Sequence, residues 1–107
     1  MSSPSPIYQT IYQKSIQDLK SLVFETLNEE NAIVLLFGSR ARGDFSRVSD
    51  IDIGILLGNN FDRRKLVFLK EKIEDLNIPY TVDVVDLSRV SKIFKDKVLR
   101  EGILWKG

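Results

Sequence analysis

The stretch IVLLFGSRARGDFSRVSDIDIGILL, residues 33–57, decides how the chain folds. Ile33 to Phe37 is a continuous apolar run bounded by Glu29, Glu30 and Asn31 on one side and Gly38 on the other, the pattern of a short buried strand. Asp50 to Leu57 reads as a second strand. Its alternation puts Ile51, Ile53, Ile55 and Leu57 on one face and Asp50, Asp52, Gly54 and Leu56 on the other. Between the two, Ser39 is a favoured helix N-cap and Gly43 a favoured C-terminal residue, so a brief helical turn is expected directly after the first strand.

Working outward, Ser5 and Pro6 suit an N-cap and first helical residue. Tyr8, Tyr12, Ile16, Leu19, Val23 and Leu27 then recur at helical spacing, which predicts a first helix ending near Asn28. Downstream, Gly58-Asn59-Asn60 closes the second strand, and Asp62 caps a helix whose Leu66, Leu69, Ile73 and Leu76 share a face. A third strand is expected from Tyr80 to Val85. Asp86 or Ser88 is expected to start a last helix carrying Val90, Ile93, Phe94 and Val98, ended by Gly102 and followed by a short apolar tail, Ile103-Leu104-Trp105. The predicted order is αβ(α)βαβα, an α/β or α+β fold with three main strands and flanking helices. The 107 residues fit a single domain, 1–107, with residues 1–6 as a flexible leading segment.

Composition narrows the chemistry. The chain has no cysteine and no histidine, which excludes disulfides, thiolate zinc sites, cysteine nucleophiles and histidine bases and leaves carboxylates to do the work. A formal net charge of +1 gives no global pull toward nucleic acid or an anionic membrane, although Arg40, Arg42 and Arg47 cluster locally. No stretch reaches the ~20 apolar residues of a membrane span, so a cytoplasmic protein is expected.

The informative constellation is Gly38-Ser39, ten residues, and then Asp50-Ile51-Asp52. Gly38 leaves room for a phosphate to approach the backbone, while the free NH groups of a following helical turn and the Ser39 hydroxyl would hold it. Asp50 and Asp52, two apart on a strand, project from one face, where their mutual repulsion invites a cation. An all-oxygen ligand set suits Mg²⁺ or Mn²⁺. Taken singly, Gly-Ser is an ordinary turn and Asp-x-Asp an ordinary strand entrance. Asp83 changes the balance, because in the otherwise largely apolar Thr81-Val82-Asp83-Val84-Val85 it is costly if buried unless paired, hydrated or bound to metal. Asp86 competes for the same role, but it would face the other side of a regular strand and is explained as a cap or turn. With three carboxylates, two metal ions would bridge the protein and a nucleoside triphosphate, a geometry suited to nucleotidyl transfer with Asp83 as base or ligand of the activating metal. Arg40 and Arg42 are candidate contacts to the triphosphate or acceptor.

The segment Gly38-Ser39-Arg40-Ala41-Arg42-Gly43, five residues, then Ser49-Asp50-Ile51-Asp52-Ile53, with Asp83 following in Val82-Asp83-Val84-Val85, resembles the signature of the minimal nucleotidyltransferase (MNT) family of the DNA polymerase β-like superfamily. The resemblance implies a mixed sheet, Mg²⁺ as one or two ions held by Asp50, Asp52 and Asp83, and ATP held by Gly38 and Ser39, with Arg40, Arg42 and Ser49 as further nucleotide contacts. It also implies the antitoxin half of a toxin–antitoxin pair, forming a hetero-oligomer with a helical HEPN-domain toxin and attaching AMP to a tyrosine of that toxin. The alternative is a non-catalytic module that neutralises its partner by binding alone. Transfer to a small molecule or RNA stands third, since near-neutral charge disfavours direct binding of nucleic acid.

Overall fold

A computed structural model describes residues 6–38 and 50–107. Helix α1 (Pro6–Leu27) leads into strand β1 (Ala32–Phe37). Then follow β2 (Ile51–Leu57), helix α2 (Arg63–Asp75), β3 (Val82–Asp86), helix α3 (Lys92–Glu101) and β4 (Ile103–Lys106). The anticipated Ser5 cap and the helical turn over residues 39–43 lie outside the described residues.

The strands form one mixed sheet in the order β3-β2-β1-β4. β1 runs antiparallel to both β2 and β4, while β2 and β3 are parallel. A parallel pair needs a crossover, and α2 supplies it. Asp62 starts α2 by accepting a hydrogen bond from the Arg64 amide at 3.0 Å, as its position before the apolar stripe predicts.

The two faces of the sheet are covered unequally. Ala32, Val34 and Leu36 of β1 and Ile51, Ile53 and Ile55 of β2 point into the main core, where Leu19, Val23 and Leu27 of α1 and Leu66, Leu69 and Ile73 of α2 meet them. Each of the Val, Leu and Ile side chains contributes about 1.5–3 kcal/mol on burial, which makes this layer the main source of stability. On the opposite face Leu35 packs against Leu87 and Val98, a smaller cluster under α3. Gly54 permits that approach, since a Cβ there would stand 3.0 Å from Leu87 Cδ1 and 3.3 Å from Val98 Cγ1. Among the described residues no helix is long and apolar enough to cross a membrane.

Two expectations need correction. The sheet has four strands rather than three, because the apolar tail pairs with β1 as β4, with Leu36 opposite Ile103 and Leu35 opposite Leu104. Trp105 enters the main core from this strand and is only 8% exposed. The last helix begins at Lys92, not at Asp86 or Ser88. Asp86 instead closes a turn, accepting from the Ser88 amide at 2.9 Å, and Leu87 is drawn into the small core. Ser91 caps the helix by accepting from the Phe94 amide at 3.2 Å. Val90 therefore precedes the helix, and Ile93, expected on its buried face, is 85% exposed.

If β4 is an integral strand rather than a loose tail, Trp105→Ala will cost about 3–5 kcal/mol, as large-to-small changes of core aromatics do. Urea unfolding of the two proteins measures this. A loss below about 1 kcal/mol, the range of ordinary surface changes, would mean that β4 is not docked.

Candidate active site

The end of β1 and the starts of β2 and β3 lie at one edge of the sheet, and register decides what meets there. Asp52 stands opposite Phe37 across the antiparallel pair and opposite Asp83 across the parallel pair. Directly opposed residues share a face. Asp83, Asp52 and Phe37 therefore form a row on the α3 side of the sheet, away from the main core. Asp50 leads into β2 at the same edge and is exposed, as is Asp83.

Gly38 follows Phe37 with φ +77°, a left-handed conformation that side-chain-bearing residues rarely adopt. A Cβ at this position would also collide with the Asp52 carboxylate. Backbone conformation and close approach both require glycine here, and they put the expected phosphate cradle in contact with the expected metal ligand. Ser39, Arg40, Arg42 and Ser49 lie outside the described residues.

Asp52 is an uncomfortable anion. Partial burial pushes its carboxyl above the ordinary carboxylate value, and the nearby charges of Asp83 and Asp50 push it the same way. A cation would relieve all three effects, so the donor set fits a hard divalent ion. Among the described residues no three carboxylates converge tightly enough to form a ready-made cage.

The structure disposes of the competitor to Asp83. Asp86 pairs with Ile55 in the register and turns to the α2 side, where Arg63 donates to it at 2.8 Å. Burial pushes its carboxyl up, but hydrogen bonds from Arg63 and Ser88 outweigh that and hold it below the ordinary value. Tyr80 packs edge-on against Tyr12, with ring centroids 5.8 Å apart, and belongs to the core.

A further part of the site has no signal in the sequence. Beside Gly38 a cleft of about 120 Å³ opens between the end of β1 and α3, lined by Phe37, Gly38, Phe94, Lys97, Val98 and Glu101. The rings of Phe37 and Phe94 meet edge to face at 5.9 Å across it. Phe94 and Val98 read as core positions in the sequence, and no spacing there links Lys97 to Gly38, because their proximity is created by the docking of α3.

Residues 18–106 match the family described as "Polymerase beta, Nucleotidyltransferase". A protein of Methanocaldococcus jannaschii that carries an inferred protein adenylyltransferase name is 34% identical over 68 residues, 64% of this chain and 72% of that protein. A solved minimal nucleotidyltransferase, so named by inference, superposes with a TM-score of 0.67 at 26% identity, over 84% of this chain and 92% of the other. A toxin–antitoxin crystallised with AMP-PNP superposes with a TM-score of 0.62 at 27% identity, over 82% of this chain and 73% of the other.

Crowding at Asp52 has a measurable consequence. Because its folded-state value is raised, the native protein holds a proton that the unfolded chain releases, and stability declines as pH rises from the ordinary 3.8 through the raised value. In metal-free buffer, Asp52→Asn is therefore expected to melt above the wild type at pH 7, with the gap closing toward pH 3.8. A variant that melts lower at pH 7 would show the carboxylate to be structurally paired instead.

Proposed function

Since the chain belongs to the Polymerase beta nucleotidyltransferase family, we propose that it transfers AMP from ATP to a tyrosine of a partner protein and acts as the antitoxin of a HEPN/MNT pair in the cytoplasm. The observation that carries the reading is the row Asp83, Asp52, Phe37–Gly38, in which two carboxylates and a left-handed glycine stand side by side, the order that an acceptor-activating group, a metal ligand and a phosphate cradle would need. The adenylyltransferase name of the archaeal relative and the toxin–antitoxin crystallised with AMP-PNP support this choice of substrate and partner.

Each residue has a role in this scheme. The Gly38 backbone and the Ser39 hydroxyl receive phosphate oxygens, with Arg40, Arg42 and Ser49 as further contacts. Asp50, Asp52 and Asp83 would hold Mg²⁺, one ion or two, with Mn²⁺ as a substitute; the metal supplies charge neutralisation and polarisation of the α-phosphate. Asp83, exposed at the edge of the row, accepts the proton of the attacking tyrosine hydroxyl or orients the group that does. The phenolic oxygen then bonds to the α-phosphorus as the bond to pyrophosphate breaks. Because β3 is an edge strand, a partner can present its tyrosine over Asp83 without moving the sheet.

Intact mass spectrometry tests the proposal directly. A co-expressed HEPN partner incubated with this protein, ATP and Mg²⁺ is expected to gain mass in AMP units, and the Asp50→Asn, Asp52→Asn protein to give none. An unmodified partner that stays bound and neutralised by both proteins would replace the enzyme with a module that acts by occlusion.

A further inference from the structure

In-line phosphoryl displacement needs the attacking oxygen, the α-phosphorus and the leaving oxygen close to one line. The sheet fixes which way that line runs. Its order β3-β2-β1 sets Asp83, Asp52 and Phe37–Gly38 in sequence, with strands ~4.8 Å apart. With the acceptor over Asp83 and the α-phosphate over Asp52, the departing pyrophosphate lies over Gly38. The cleft between β1 and α3 opens beside Gly38, at that end of the row.

Lys97 is the cation among the residues lining that cleft. It is exposed, and among the described residues it makes no ion pair, although Glu101 stands one helical turn further on α3. The edge-to-face contact of Phe94 with Phe37 holds this part of α3 against the end of β1, so the lysine is carried by a packed helix and not by a loop. We infer that Lys97 binds the β- and γ-phosphates of the nucleoside triphosphate and steadies the pyrophosphate as it leaves. The inference rests on the nucleotidyl-transfer reading above and adds to it a positioning residue outside the Gly-Ser and Asp-x-Asp segments.

The cleft has apolar walls that would also suit a nucleobase, and geometry decides between the two occupants. The base hangs from the α-phosphorus through the ribose, to the side of the reaction line, whereas the pyrophosphate lies on its extension. At about 120 Å³ the cleft is also well below the ~300 Å³ at which sites for whole ligands begin, so it takes one end of the nucleotide only. Glu101 shares the cleft and opposes a phosphate. Removing Lys97 would leave that opposition unbalanced.

Titration calorimetry of the full chain in Mg²⁺, with ATP, inorganic pyrophosphate and AMP as separate probes, distinguishes the outcomes. Lys97→Met is expected to weaken ATP and pyrophosphate each by about tenfold while AMP changes less than about twofold, and Lys97→Arg to recover most of the loss. The melting temperature should stay unchanged, because the side chain is exposed. Equal weakening of AMP would assign the cleft to the base and ribose and overturn the inference, as would no change with any probe. A wild-type chain that binds neither ATP nor pyrophosphate would instead remove the nucleotidyl-transfer reading itself, an outcome visible without any variant.

Discussion

The register of β3 against β2 is the constraint on which the rest depends. Side chains alternate along a strand, so a slip of one residue would turn Asp83 into the main core and expose Val82 and Val84 in its place. Hydrophobic burial forbids that slip. Val82 and Val84 pack against the core that contains Ile51, Ile53 and Ile55, and Asp83 is thereby left on the opposite face, level with Asp52. The carboxylate pair is thus positioned by the apolar residues between which it is interleaved, and the free energy that holds two like charges together comes from the layer beneath them. Arg63 reinforces the same register from the other side by engaging Asp86 at the far end of β3.

Much of this arrangement is legible in the amino-acid sequence, for identifiable reasons. The alternation of Ile51, Ile53 and Ile55 with Asp52 and Gly54 can be satisfied in only one way at a buried sheet face, so the face of Asp52 follows from the pattern alone. Asp62 and Gly102 mark helix ends through local chemistry that tertiary packing does not override. What is not legible depends on long-range docking. Residues 103–106 are apolar and short, and nothing local separates a tail that lies on the surface from a strand that pairs with residues some seventy positions earlier. The start of α3 is equally hidden, because Asp86 and Ser88 are as good caps as Ser91. A buried Leu87 and the bond from the Ser88 amide to Asp86 commit the earlier candidates to a turn.

The two faces of the sheet also divide the labour. α1 and α2 cover one face with large aliphatic side chains, and the Arg63–Asp86 pair stands at its margin. On the other face, among the described residues, α3 covers only part of the sheet, resting through Val98 on Leu35 and Leu87, and Gly54 lets it sit close. The edge of that face that the described residues leave open carries the carboxylate row. A helix seated closely next to an open polar edge yields a rigid wall beside exposed chemistry, an arrangement that positions groups better than a loop does.

The pairing of β1 with β4 bears on how the protein is made. Residues 34–36 are made some seventy residues before one of their two strand partners, residues 103–106. At ~5–20 residues per second, the open side of β1 waits several seconds for that partner. During this interval an apolar strand presents unpaired backbone groups, the condition that invites association with other chains. The closing strand, with Trp105 at its centre, therefore does more than add stability: its arrival covers the edge that β1 would otherwise leave open.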